Sequence, residues 1–264
     1  MFIELKTCLL VRNTIILQQE VIWMSIAQTV QQSLENIPAG KIFSYQELPD
    51  YAKSPGAVIK AVSRLVEEKR LERFSKGKFY IPKKGLLGSC KPSDSELLRT
   101  MLYKDGRLRG YITGLSLFNQ LGLTTQVPRT ITLAINGGRQ EKEFGTIKIK
   151  TQVTRVPIEE KDVLPLQYLD ALKQIKIIPD SDINLSLKIL KKKVSELPKE
   201  NQVRLVSLAE KYYGPQVRAL IGLIYSSLNL TVPQSLAISL NPTTTYKLTL
   251  DQKDWPMAGG WHIR

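Results

Sequence analysis

With one histidine, His262, and two cysteines, Cys8 and Cys90, in 264 residues, the chain is short of side chains that make and break covalent bonds. A serine or cysteine nucleophile would need a lysine or aspartate in place of the usual imidazole base. Two cysteines build no disulfide framework and one histidine no His-rich metal site, so a reduced, cytoplasmic protein is expected. Asp94, Asp105, Asp162, Asp170, Asp180 and Asp182 supply carboxylates, but none falls into a compact metal-ligand pattern such as D-x-D-x-D-G, and Asp180-Ser181-Asp182 reads as a helix cap. Asn136-Gly137-Gly138 lacks the Gly-Lys-Ser/Thr pattern and following helix of a phosphate loop and reads as a turn. No enzyme, catalytic residue, metal or cofactor is predicted.

The chemistry the sequence does offer is the binding of a polyanion. Thirty-eight Lys and Arg against 24 Asp and Glu give a formal charge of +14 and a pI near 9.7, which disfavours acidic substrates and favours nucleic acid. Ala57, Lys60, Arg64 and Glu67 share the helix face opposite an apolar stripe of Val58, Ile59, Val62, Leu65 and Val66. In a major groove Lys60 and Arg64 would read base edges. Ser54 would add a phosphate contact at the helix N-terminus, where backbone N–H groups lack helical partners. Arg73, Lys76 and Lys78 would place charge on a following hairpin, and Lys83 and Lys84 would extend it. The same pattern also fits a solvated charged face used for protein contacts.

These residues need a scaffold, and the sequence predicts one. Ile26, Val30, Leu34 and Ile37 mark a helix stopped by Pro38 and Gly40; Lys41-Ile42-Phe43 is a short strand; Ser44 and Glu47 form a capping box opening a short helix that ends near Tyr51. Pro55 starts a third helix, and two β-rich runs around Ser75-Lys76-Gly77-Lys78 make a hairpin. That order is a winged helix-turn-helix. The predicted fold is α+β: a winged helix-turn-helix over residues 24–84, a linker at Gly85–Gly88, and a mixed α/β effector domain over 85–264 with a helical C-terminal part. In the latter, Ser93 and Glu96 form a capping box, Thr113 to Leu121 is a helix, and Thr130–Ile135 and Thr146–Thr151 form a hairpin exposing Lys148 and Lys150. From Leu164 onward helices alternate with Pro165, Pro179, Pro198 and Pro215; the Lys188–Lys193 run is a solvated face, and Trp255 and Trp261 anchor a turn-rich tail to the core. Residues 1–23 read as a non-native or poorly packed extension ahead of Met24, with neither a signal peptide nor a membrane span.

The stretch Ser63–Pro82, SRLVEEKRLERFSKGKFYIP, is similar to the recognition helix and wing of the AbiEi family antitoxins. Gly110–Pro128, GYITGLSLFNQLGLTTQVP, resembles the opening of that family's antitoxin domain, and Tyr213–Gly222, YGPQVRALIG, its late helix. The resemblance implies a type IV antitoxin whose winged helix binds inverted repeats in double-stranded DNA of its own promoter and represses the operon. It also implies a functional partner, a nucleotidyltransferase-like toxin, opposed without a stable complex. Glu67, Glu68 and Glu72 temper the charge of the recognition segment and imply modest or cooperative DNA affinity. A protein-interaction antitoxin, or a plain winged-helix regulator with no toxin partner, fits the same residues.

Overall fold

Packing divides the computed structural model, which describes residues 25–85, 88–104, 106–144 and 147–264, into two units, one ending at Glu96 and one beginning at Leu97. The extension expected over residues 1–23 lies outside the described residues. The protein is mixed α+β, and among the described residues no helix is long and apolar enough to cross a membrane.

In the first unit, helix α1 (Ile26–Glu35) opens on a capping box: Ser25 Oγ accepts from Gln28 N–H at 3.3 Å, and Gln28 Oε1 accepts from Ser25 N–H at 2.9 Å. Strand β1 (Ile42–Ser44) follows, then a single 3-10 turn over Tyr45–Glu47 where a short helix to Tyr51 is predicted. The box at Ser44 forms, with Glu47 Oε1 accepting from Ser44 N–H at 2.9 Å, but Pro49 forbids helical backbone at the residue before it, and Leu48 is extended at φ −89°, ψ 143°. Helix α2 (Pro55–Glu67) begins with proline at its first position, as predicted.

The hairpin β2 (Glu72–Ser75) and β3 (Lys78–Tyr80) completes a sheet of order β1-β3-β2, in which Tyr80 faces Ile42 on one side and Glu72 on the other. Lys76 and Gly77 form the tip, and the φ of +73° at Gly77 is why glycine stands there. Val30, Leu34, Phe43, Val58, Val62, Leu65, Leu71 and Phe79 close the core beneath this sheet. Helix, strand, helix and hairpin in this order form the winged arrangement. At the expected linker, Gly85–Gly88, the flanking residues pair, β4 (Lys83–Gly85) running antiparallel to β5 (Gly88–Cys90), and Leu86 and Leu87 lie outside the described residues.

Helix α3 (Asp94–Leu102), which spans the division between units, opens on Ser93 Oγ accepting from Glu96 N–H at 3.3 Å, while Glu96 Oε1 accepts from Ile42 N–H at 2.7 Å. The second unit continues with the short pair β6 (Tyr103–Lys104) and β7 (Arg107–Leu108), strand β8 (Gly110–Thr113) and helix α4 (Gly114–Gln120). Strands β9 (Thr130–Ile135), β10 (Glu141–Phe144) and β11 (Ile147–Val153) join β8 in a sheet of order β10-β11-β9-β8.

Here the predicted hairpin is corrected. β9 and β11 are parallel, not antiparallel, because β10 pairs antiparallel with the outer edge of β11 and returns the chain in the direction of β9. Alternation along β11 is as predicted: Ile149 is buried and Lys148 and Lys150 are exposed, although Ile147 is only half-buried.

Five helices follow: α5 (Val163–Lys173), α6 (Ile183–Ser195), α7 (Lys199–Tyr212), α8 (Pro215–Ser227) and α9 (Gln234–Ile238). Asp182 caps α6 as predicted, accepting from Leu185 N–H at 3.1 Å. The tail packs back: Trp255 and Trp261 are buried, and the Trp261 ring covers Gly222 of α8 so closely that a Cβ there would lie 2.3 Å from it.

Candidate nucleic-acid interface

The exposed face of α2 differs in detail from the predicted one. With residues ~100° apart around the axis, the exposed residues after Pro55, itself exposed at the helix start, fill an arc of about 140° running Ile59, Ser63, Gly56, Glu67, Lys60, Arg64. Lys60 and Arg64 lie on one flank. Ala57, predicted to face outward with them, is half-buried at the border, and Ile59, predicted to be buried, is 38% exposed. The apolar residues form a stripe too wide for the core to cover, and Val58, Val62 and Leu65 occupy the part that faces β3 and α1. Gly56 and Ser63 occupy the middle of the arc, where their small size leaves room for close approach; the predicted face omits Ser63, although its place three residues after Lys60 and four before Glu67 puts it on that face. Glu67 is also central, so the face carries both charges.

Ser54 stands at the start of α2, half-buried, with no capping bond from its side chain. Only Val58 N–H bonds back to Ser54 carbonyl, at 3.2 Å, which leaves the Gly56 and Ala57 amides without helical partners. On the hairpin Arg73 and Lys76 are exposed, while Lys78 is half-buried. The Arg73 Nε–H donates to Ser75 carbonyl at 3.4 Å, holding the side chain along its own strand. Lys83 is exposed on β4, and Lys84 follows it on the same strand. All nine predicted residues are in the first unit, on the start and face of α2, the hairpin, and β4.

Tyr80 stiffens the base of the wing. Its hydroxyl donates to the Glu72 carboxylate directly across the ladder, and burial first, then that bond and the Glu72 charge, push its pKa up to about 12. Because the folded value lies above the 10.0 of an unperturbed tyrosine, the contribution is complete below pH 10 and is lost as pH rises from 10 through 12. Thermal melts of the first unit between pH 9 and 12 should therefore show a falling alkaline limb that is shallower in Tyr80→Phe; equal limbs would remove Tyr80 as its source.

The charge is not concentrated where the predicted face lies. Residues 25–96 hold 12 Lys and Arg against 8 Asp and Glu, whereas residues 97–264 hold 24 against 14. Some of the second unit's cations are engaged internally. Lys148 pairs with Glu141 at 2.7 Å, which holds that carboxyl below the usual carboxylate range, and Glu143 stands opposite Lys148 in register. Lys188 pairs with Asp254 at 2.6 Å, and Lys191 lies 5.5 Å from the centre of the Trp255 ring, so two members of the Lys188–Lys193 run clasp the tail. Exposed pairs of this kind stabilise weakly, and Lys188→Ala should cost about 0.5 kcal/mol in a denaturant titration.

Among the described residues no group of three His, Cys, Asp or Glu side chains is placed to hold a metal ion. A search of curated proteins finds no match. Among solved structures, the RV2827C protein from Mycobacterium tuberculosis is similar, at 14% identity over 85% of each chain with a TM-score of 0.45. A family model matches residues 29–197, from within α1 to the end of the helix α6 region, and the chain belongs to that family of unknown function, DUF6088.

Proposed function

We propose that this protein is a cytoplasmic DNA-binding antitoxin of a type IV toxin–antitoxin system, which represses its own operon and counteracts a nucleotidyltransferase-like toxin without forming a stable complex with it. The observation that carries the DNA-binding half is the exposed face of α2, with Lys60 and Arg64 on one flank and the charged tip of the β2–β3 hairpin following it. Hairpin and helix-start groups hold phosphates, and the helix face reads bases. The antitoxin half rests on the resemblance of the 110–128 and 213–222 segments to AbiEi antitoxins.

Mobility shift with DNA from its own promoter, over several salt concentrations, tests the first half. Lys60→Ala and Arg64→Ala should each weaken specific binding by about 1–3 kcal/mol if they contact base edges. Lys76→Ala should weaken all sequences alike and reduce the slope of log K against log salt by about 1. Absence of any shift at low salt rejects the reading. For the second half, co-expression with the product of the adjacent toxin gene should restore growth.

A protein-interaction module is the second reading, favoured by a groove of about 490 Å³ whose lining mixes apolar residues such as Val203, Val206 and Leu230 with polar ones such as Lys199, Gln202 and Glu210, and in which Val203 is 72% exposed. Stable co-purification with the toxin and no DNA shift would select it.

A further inference from the structure

The flank of the α2 arc opposite Arg64 is apolar. Among the described residues of the first unit Ile59 is the one exposed large hydrophobic side chain, and it lies beside Ser63 on the same surface as Lys60. An aliphatic group offers nothing to a phosphate, and exposing it to water costs free energy that a polar residue would avoid. In the major groove it has one specific counterpart, because among unmodified base pairs only those with thymine present a methyl group there. Gly56 and Ser63, small and central in the arc, let the helix come close enough for a short branched side chain to touch base edges, and a Cβ added at Gly56 would still meet open space.

Resting on the DNA-binding reading above, we propose that Ile59 is a specificity-determining residue that packs against a thymine 5-methyl group, so that the preferred sites carry thymine at the position it reaches. The two flanks of one helix then select differently, methyl groups on the Ile59 side and hydrogen-bonding base edges on the Lys60 and Arg64 side.

The test uses the full chain and one DNA fragment, the region upstream of its own coding sequence, copied by polymerase with either dTTP or dUTP. The two probes differ only in thymine methyl groups. Wild-type protein should bind the thymine probe more tightly by about 4-fold for each methyl contacted. Ile59→Ala should bind both probes equally, near the wild-type affinity for the uracil probe, while Lys60→Ala should weaken both and keep the ratio. Ile59→Val, which keeps a branched aliphatic group, should retain part of the preference. Equal wild-type affinity for the two probes, or a ratio unchanged in Ile59→Ala, overturns the proposal while binding of the thymine probe leaves the DNA reading standing. Binding of neither probe removes the DNA reading and this assignment with it.

Discussion

Asp170→Ala should destabilise the second unit by about 4 kcal/mol, an effect measurable as a lower melting temperature by calorimetry. Asp170 is 7% exposed on α5, and three hydroxyl groups converge on its carboxylate: Thr113 Oγ1 at 2.8 Å and Tyr111 Oη at 3.1 Å donate to Oδ2, and Tyr213 Oη at 2.8 Å donates to Oδ1. These donors come from β8 and from the turn after α7, so one side chain joins the sheet to the helical layer. A hydrogen bond to a charged group contributes roughly 1.5–3 kcal/mol, and each buried hydroxyl left without a partner costs about 1–3 kcal/mol, although such terms do not add fully. For a unit of this size the loss corresponds to roughly 2–4 °C per kcal/mol. Asp170→Asn, which keeps the shape and one carbonyl acceptor, should lose about half as much. A cost under about 1 kcal/mol for the alanine variant would show that the hydroxyls find other partners and would refute the junction role. The same carboxylate, with burial as the larger cause, raises the pKa of Tyr111 and Tyr213 far above the ordinary tyrosine value.

Removing Arg204 should be nearly as costly, about 3–5 kcal/mol in a urea titration, because its partner is left charged and dry. Asp162 is fully buried just before α5, and the guanidinium of Arg204 on α7 grips it with two bonds, Nε to Oδ1 at 2.6 Å and Nη2 to Oδ2 at 2.7 Å. Arg204 keeps 35% of its side chain exposed, so water relieves the arginine but not the aspartate. The pair is therefore a joint whose halves are unequal. Arg204→Lys, which offers a point charge without the fork, should recover part of the loss. Replacing both partners by apolar groups, Asp162→Leu with Arg204→Met, should approach wild-type stability. If the double variant were as unstable as Arg204→Ala, the cost would lie in packing rather than in a stranded charge.

What could be read before the structure was chiefly local. Helices α5 to α8 announce themselves through apolar residues three and four apart and through Pro198 and Pro215 at their starts, and the wing through Gly77 between two β-rich runs. The failures are non-local. Nothing in Thr130–Ile135 or Ile147–Val153 reveals that Glu141–Phe144 will occupy the outer edge of β11 and reverse the pairing sense. Ile59 fits the apolar stripe of α2 as well as Val58 does; only the width of the core beneath decides which is left outside. Charge marks Lys60 and Arg64 as facing outward, whereas Ser63 and Gly56, in the middle of that face, have no such mark. Asp162 and Asp170 were legible as carboxylates but not as buried joints, since their partners are more than 40 residues away in the chain.

The reversed pairing of β9 and β11 also bears on how quickly the second unit assembles. A two-strand hairpin closes within microseconds once its turn forms. Here that rapid closure is open to β10 and β11, antiparallel neighbours in the chain, but the other edge of β11 must then dock in parallel on β9, so the middle strand of the trio is the last of the three in the chain. Such a docking pays loop-closure entropy before its contacts repay it, and until then the facing edges of β9 and β11 stay unpaired. Refolding of this unit should therefore be paced by sheet closure, with aggregation competing most strongly during that interval.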